Sequence, residues 1–175
     1  MGQIKQTTQQ AEDALDAILN RFRQDIGDSA HTVGSPQAIV AGTEYRVTND
    51  TLGRNAVISP TYMTDRWDAT NNKIAVPSEY DEPMYVLDFG FTFDPASASD
   101  GTATLRVYID DATPKLIKTY RTPFKGPAAE QLNFIATWYF GTEAGYDAKN
   151  DGIYFTLEFD AAGDLYDKSM TIYRT

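Results

Sequence analysis

The sequence predicts a mainly β chain, in which an antiparallel β-sandwich or jelly roll follows a short N-terminal α-helix. Three observations favour this fold class. Several long segments between residues 85 and 174 alternate apolar and polar side chains, as strands with one buried face do. Turn-forming stretches such as DPASASDG and DAAGD separate these segments. Residues 1–26 instead carry apolar side chains at helical spacing.

Five alternating segments supply the predicted core face. Their apolar positions are Tyr85, Leu87, Phe89, Phe91, Phe93, Leu105, Val107, Ile109, Leu132, Phe134, Ala136, Trp138, Phe140, Ile153, Phe155, Leu157, Phe159, Met170 and Ile172. Shorter strands are expected at Tyr45–Thr48, Ala56–Ser59, Tyr62–Trp67, Lys73–Val76 and Leu116–Arg121. This many strands without an intervening helix predict two packed sheets, with Trp67 and Trp138 in the core.

The chain divides into three predicted parts. Residues 1–27 form the helix, which Gly27 can end in a left-handed conformation. Residues 28–37, with the sequence DSAHTVGSPQ, lack periodicity and are typical of a hinge or linker. Residues 38–175 form the β head.

The helix carries a narrow apolar seam. The seam consists of Ile4, Thr8, Ala11, Leu15, Ile18 and Phe22, whose 4-3-4-3-4 spacing is typical of a coiled coil. An isolated helix of this length is marginal in water, so we expect it to associate with partner helices. The alternative is an amphipathic helix that lies against its own domain.

Four tyrosines fall on the polar phase of their strands: Tyr108, Tyr139, Tyr154 and Tyr173. Tyrosine is favoured at subunit contacts, so we predict that these side chains form one wall covered by another subunit. The predicted oligomer interface therefore comprises them together with Ile4, Ala11, Leu15, Ile18 and Phe22. The alternative is that tyrosine merely suits a half-buried strand.

Composition excludes several functions. The 175 residues carry a net charge of −10 and a pI of about 4.4, which argues against a nucleic-acid partner. No stretch approaches the roughly 20 apolar residues of a membrane-spanning helix, so no membrane partner is expected. Without cysteine, the chain cannot form disulfides, thiolate metal sites or a cysteine nucleophile.

Catalytic chemistry is weakly supported. The single histidine, His31, lies in the predicted linker, so no Ser/His/Asp site is expected. The segment Asp147–Gly152 resembles a calcium-binding loop, but Lys149 occupies a ligand position, where its positive charge would repel calcium. A polar hairpin loop is therefore the favoured interpretation. The 25 acidic residues do permit a carboxylate pair for glycoside cleavage. We expect a protein that is not an enzyme and holds no cofactor or metal.

Two segments carry a resemblance to a known family. Arg66–Pro77, an aromatic-Asp pair before a proline-ended turn, and then Met84–Leu87 resemble the opening of TNF-like and complement-type globular heads. The stretch SEYDEP departs from that pattern, which usually has glycine before the tyrosine. The resemblance implies a ten-strand jelly roll and a homotrimer whose inner-sheet aromatic side chains pack along the threefold axis.

A helix before such a head resembles the plan of tailed-phage virion proteins. That resemblance implies location in the virion and a homotrimeric capsid decoration or head-fibre protein. Its N-terminal segment would attach to the major capsid protein or another virion component, and no catalytic residues come with the resemblance. The alternative is a tail-fibre tip that recognises a host surface glycan through loops such as Thr142–Asp151, where Tyr146 can stack on a sugar.

Overall fold

Two antiparallel sheets pack face to face around one hydrophobic core. The computed structural model describes residues 23–49, 55–58, 67–75, 84–139, 141–143 and 146–174. Within these residues, no helix is long and apolar enough to cross a membrane. The prediction of an antiparallel jelly roll is confirmed.

Sheet 1 has six strands and contains both ends of the described chain. It consists of β1 (Arg23–Gly27), β2 (Gln37–Ile39), β4 (Asn55–Ile58), β7 (Met84–Pro95), β10 (Glu130–Tyr139) and β14 (Gly163–Arg174). The order is β10-β7-β14-β1-β4, with β2 alongside the first residues of β14. Arg23 at the start of β1 lies opposite Tyr173 near the end of β14.

Sheet 2 also has six strands and packs on the inner face of sheet 1. It consists of β3 (Glu44–Arg46), β5 (Trp67–Asp68), β6 (Lys73–Ile74), β8 (Gly101–Ile109), β9 (Lys115–Phe124) and β13 (Ile153–Phe159). The order is β5-β6-β13-β8-β9, and β3 pairs with β13. A small hairpin, β11 (Thr142–Glu143) and β12 (Tyr146–Asp147), precedes the helical turn α1 (Ala148–Asp151) and then β13.

The alternation in the sequence predicts the core correctly. Every predicted core position that the structure describes is buried, and Phe140 lies outside the described residues. The rings of Phe93 and Phe159 stack at 4.2 Å across the two sheets, and Phe124 meets Phe93 edge-on at 4.9 Å. Trp67 and Trp138 are both buried, as predicted. Burial of these large rings contributes most of the favourable free energy that holds the two sheets together.

The predicted extent of the N-terminal helix is wrong at its last residues. Residues 1–22 lie outside the described residues, but Arg23–Gly27 forms β1 rather than a helix. This strand pairs with β14 on one side and β4 on the other. Both ladders of hydrogen bonds, together with complete burial of Gln24 and Ile26, override the helical spacing. Gly27 is therefore not a helix cap.

The predicted linker is attached to the sandwich at several points. Asp28, directly after β1, forms a buried ion pair with Lys168 of β14. Its second carboxylate contact is His31 Nδ1 at 2.8 Å, and the His31 carbonyl accepts from the amide of Asp167. Strand β2 begins at Gln37. Residues 28–37 are thus held against β14 by these contacts and do not form a free linker.

The calcium-like segment is a capped helical turn instead of the predicted hairpin loop. Asp147 caps α1, since its carboxylate accepts from the backbone and side-chain amides of Asn150. Gly152 ends the turn with φ +83°, and its N–H donates to the carbonyl of Ala148 at 2.9 Å. The Asp147 carboxylate is committed to the cap, and the described residues contain no group of three or more potential metal ligands.

Candidate interaction surface

The four predicted interface tyrosines do not form one wall. Tyr108 in β8 and Tyr154 in β13 lie on the outer face of sheet 2, whereas Tyr139 in β10 and Tyr173 in β14 lie on the outer face of sheet 1. Each tyrosine lies on the outer face of its own sheet, as the alternation predicts, but the two sheets present those faces in opposite directions. The prediction of a single tyrosine wall is wrong.

On sheet 2, intrachain contacts occupy the tyrosines. The rings of Tyr108 and Tyr154 stack with centroids 5.1 Å apart, and the Arg46 guanidinium lies 3.9 Å from the Tyr154 centroid. Tyr154 is consequently only 9% exposed, although an outward-facing position on the strand is expected to be exposed to solvent. Burial raises the pKa of both phenols, and a hydrogen bond with Glu44 raises that of Tyr108 further. These rings hold β3 against the sheet.

Charged side chains beside these rings are likewise paired. Arg106 Nη1 lies 2.7 Å from Glu158 and 3.4 Å from Glu44, whose carboxylate also accepts from the Thr156 hydroxyl. Burial acts most strongly to lower the pKa of Arg106, but its acidic partners outweigh it, so the pKa lies above the ordinary value. Asp110 binds both Arg46 and Lys73. Because these charged side chains are already paired with one another, this face offers them less readily to a ligand.

The outer face of sheet 1 has an apolar half. Tyr139 lies opposite Met84, and the next row places Thr137 and Tyr173 on either side of Val86. Met84 is 53% exposed, Tyr139 37% and Ile135 62%. Large apolar side chains exposed together on one face mark an interaction site more often than isolated ones do. Tyr139 and Tyr173 therefore lie in a surface suited to association.

A groove extends this apolar half around the side of the sandwich. It has a volume of about 180 Å³ and is lined by Met84, Ile117, Lys118, Thr137, Trp138 and Tyr139. Here β9 and β10, the last strands of the two sheets, meet. The Tyr120 hydroxyl accepts from the Thr137 amide at 3.1 Å, and Lys118 donates to the Thr137 carbonyl at 2.6 Å. At this side of the sandwich, β9 and β10 are joined by hydrogen bonds between side chains of β9 and the backbone of β10 and not by backbone pairing.

The other half of the sheet 1 face is polar and concave. Gly90 lies between Asn133 of β10 and Ser169 of β14, and its missing side chain leaves a hollow. The hollow has a volume of about 420 Å³ and is lined by Asp88, Gly90, Gln131, Leu132, Asn133, Ser169 and Thr171. In the described part of the chain, Asp88, Gln131, Asn133 and Ser169 have no side-chain hydrogen bond or ion pair. The sequence alternation places Asp88, Gln131 and Asn133 opposite the core side of their strands but does not indicate a hollow.

The remaining predicted interface residues lie outside the described part of the chain. These are Ile4, Ala11, Leu15, Ile18 and Phe22. Their association stays a prediction. The same holds for Tyr146 as a sugar-stacking ring, because its side chain is not described.

Comparison with solved structures identifies the fold. Murine APRIL matches with a TM-score of 0.53 and 9% identity over 89% of this chain and 99% of that chain. The fold is a TNF-like jelly roll. At this identity the match establishes the fold and not the function.

A phage protein also matches. PRD1 vertex protein P5 matches with a TM-score of 0.49 and 15% identity over 90% of this chain and 97% of that chain, a similarity too low to support a role. No protein-family model matches the sequence, and no curated protein is significantly similar to it.

Proposed function

We propose that this chain is a non-enzymatic structural protein of a tailed-phage virion. It forms a homotrimer, decorates the capsid or serves as a head fibre, and attaches through its N-terminal segment to the major capsid protein or another virion component. The TNF-like fold and the heptad seam of residues 4–22 support this proposal.

The observation that carries the proposal is the apolar half of the outer face of sheet 1. Met84, Ile135 and Tyr139 are exposed there beside Tyr173 and a groove that continues around the side. Contact with another copy would remove this surface from water, a gain of about 25 cal/mol for each Å² of apolar area. The family resemblance implies a homotrimer whose inner-sheet aromatic side chains pack along the threefold axis, and we propose this face for that contact.

The side chains also favour a binding role over catalysis. His31, the only histidine, contacts the Asp28 carboxylate, which in turn pairs with Lys168. On sheet 2, acidic and basic side chains neutralise one another in ion pairs. A general base or nucleophile needs a group that is free to react, and these groups are engaged.

A second candidate function is recognition of a host glycan by a tail-fibre tip. The hollow around Gly90 favours it, because Asp88, Gln131, Asn133 and Ser169 offer a carboxylate, two amides and a hydroxyl to sugar hydroxyls. Binding of the full chain to an array of bacterial surface saccharides tests this function. Loss of that binding in Asn133→Ala would support the second candidate.

Assembly is tested by sedimentation of the full chain at micromolar concentration. We expect a trimer, and we expect Tyr139→Asp to shift it toward monomer because a charge would enter the apolar contact. Ser99→Asp is the control, because it adds the same charge in the exposed turn after β7, at the opposite end of that strand from Met84. A monodisperse wild-type monomer would overturn the proposal.

Attachment is tested with purified capsids and full-length chains. Leu15→Asp combined with Ile18→Asp disrupts the predicted seam and is expected to reduce co-sedimentation with capsids. Deletion of residues 1–27 is a poor test, because it removes β1 from sheet 1. Undiminished capsid binding by the double variant would contradict attachment through the helix.

A further inference from the structure

The hollow around Gly90 is open although a larger residue would fit at that position. Gly90 lies directly opposite Asn133 on one side and Ser169 on the other. A Cβ on Gly90 would lie 3.5 Å from the Ser169 Oγ and 3.9 Å from the Leu132 carbonyl oxygen, which are ordinary contact distances. The volume of about 420 Å³ falls within the range of small-molecule sites. Glycine here keeps a recess of ligand size open and does not relieve a clash.

One charged side chain lines the hollow, and it lacks a cation. Asp88 is half-buried between Ile135 of β10 and Thr171 of β14, which lie directly opposite it. Its carboxylate makes no ion pair or hydrogen bond within the described part of the chain. The Thr171 hydroxyl donates instead to Asp25 at 2.7 Å, and the Arg23 guanidinium on the same face also pairs with Asp25. Within the described residues, the negative charge of Asp88 is therefore uncompensated.

Neutral hydrogen-bonding groups surround this carboxylate. Gln131 and Asn133 each offer an amide with two N–H donors and an acceptor oxygen, and Ser169 offers a hydroxyl. All three side chains are exposed, and none forms a side-chain hydrogen bond in the part of the chain that the structure describes. Gln131 and Asn133 are two residues apart on β10, so their side chains leave the same face about 7 Å apart. Both can therefore contact one small ligand.

We propose that the hollow binds an amino sugar. Its ammonium group pairs with Asp88, and its hydroxyls form hydrogen bonds with Gln131, Asn133 and Ser169. This inference rests on the second candidate function, recognition of a glycan, and names the class of sugar. Hydrogen bonds between ionised groups are stronger than those between neutral groups. A neutral sugar would leave the half-buried charge of Asp88 without a counter-charge, which is unfavourable.

Another copy of the chain is a poor occupant of the hollow. Burial of Asp88, Gln131 and Asn133 against a protein surface without matching partners would cost free energy for each polar group. The apolar half of the face, around Met84 and Tyr139, carries no such cost. We therefore expect contact between copies to use the apolar half and to leave the hollow open to solvent.

A solvated surface charge is the competing explanation for Asp88. Asp94 is also on the outer side of β7 and is exposed, but it lies outside the hollow. If both carboxylates are merely solvated, they should respond alike to a cationic ligand. A site in the hollow instead requires Asp88 and not Asp94.

Calorimetric titration of the full chain with three probes tests the inference. The probes are a β-1,4-linked trimer of glucosamine, the same trimer with every amine acetylated, and trilysine. The acetylated trimer keeps the sugar rings without the charge, and trilysine keeps the charge without the rings. At about pH 6, where aliphatic amines are positively charged, we expect the glucosamine trimer to bind at least about tenfold more tightly than either other probe.

Variants of β7 separate this site from general attraction of cations to a protein of net charge −10. Asp88→Asn keeps the side-chain size and is expected to weaken binding of the glucosamine trimer at least about tenfold. Gly90→Val fills the hollow and is expected to abolish binding. Asp94→Asn is the matched control, which removes the same charge about 20 Å along the strand. Salt screens charges at that distance, so affinity should change less than about twofold. Near-ultraviolet circular dichroism checks that each variant is folded.

The failures are distinguishable. Equal binding of both sugar trimers, lost in Gly90→Val, would overturn the choice of an amino sugar and leave glycan recognition standing. Trilysine binding as tight as that of the glucosamine trimer, or equal losses in Asp88→Asn and Asp94→Asn, would show general attraction of cations and overturn the inference. No binding to these trimers or to the array of bacterial surface saccharides would overturn both the inference and the second candidate function. The proposed virion role would still stand on the sedimentation and capsid experiments.

Discussion

Lys168 Nζ lies 2.8 Å from Asp28 Oδ2, and the two side chains are 1% and 2% exposed. Lys168 also donates to the carbonyl of Thr48, and it lies in the bulge where pairing of β14 with β7 shifts between Tyr166 and Ser169. The one extra residue of the bulge turns the lysine inward to meet Asp28. Lys168 thus connects the middle of β14 to the segment after β1 through this ion pair, and to the segment after β3 through the hydrogen bond to Thr48.

Breaking this pair should be costly. Lys168→Met retains much of the side-chain length but leaves the Asp28 carboxylate buried without its cation, so we expect a loss of about 3–5 kcal/mol in the free energy of unfolding. Guanidinium denaturation monitored by tryptophan fluorescence measures this loss. Lys125→Met, at an exposed position, should change stability by less than about 0.5 kcal/mol. Equal effects at both positions would contradict the structural role of the pair.

Stability should also fall in acid for an identifiable reason. Burial acts most strongly to raise the pKa of Asp28, but the hydrogen bonds from Lys168 and His31 together hold it below the ordinary value of 3.8. A lowered folded-state pKa contributes stability above about pH 4, and this contribution disappears as pH falls through the folded-state pKa.

Asp28→Asn removes that titration. The difference in unfolding free energy between wild type and Asp28→Asn should therefore be largest near neutrality and shrink below about pH 4. Denaturation midpoints of both proteins at pH 7, 5 and 3 supply the comparison. A difference that stays constant with pH would show that Asp28 does not titrate with folding.

Adjacent residues on β10 test the register of the sheet. Phe134 is buried against Phe91, with ring centroids 6.0 Å apart, whereas Ile135 points outward. Phe134→Ala should cost about 3–5 kcal/mol, as large core truncations do. Ile135→Ala should cost less than about 0.5 kcal/mol in dilute, dissociated protein. The reverse ranking would mean that the strand is shifted by one residue.

Two glycines separate backbone strain from crowding. Gly42 has φ +70° with open space around a hypothetical Cβ, so Gly42→Ala should cost about 1 kcal/mol through conformation alone. Gly152 has φ +83°, and a Cβ there would lie 2.9 Å from the Ile74 carbonyl oxygen. Gly152→Ala should therefore cost about 3 kcal/mol. Thermal unfolding of both variants gives the comparison, and similar melting temperatures would argue against crowding at Gly152.

Strand alternation was enough to predict the fold class and the core. Phe89, Phe91 and Phe93 recur at every second position, and a strand that contributes one face to a core requires that period. The pattern of apolar residues was misleading at Arg23–Gly27, because its spacing there fits a helix although these residues form β1. Pairing with β14 comes from the far end of the chain, and no local pattern reveals it.

Surface chemistry was predictable only in part. The alternation placed Tyr108 and Tyr139 outward correctly, but it does not state which sheet a strand joins. The stacking of Tyr154 under Arg46 depends on β3, about a hundred residues earlier in the sequence. Whether an outward side chain is free to bind a ligand depends on partners from distant segments of the chain. Such partners pair the charges of sheet 2, whereas Asp88 on sheet 1 has no ion pair within the described residues.

The pairing of Arg23 with Tyr173 brings the first and last strands of the described chain together at one end of sheet 1. A circular permutant that links these neighbouring positions and opens at an exposed turn elsewhere should keep every strand in place. A peptide fused before residue 23 and another fused after residue 174 would emerge side by side, so the sandwich can serve as a scaffold that displays two inserts at a single pole.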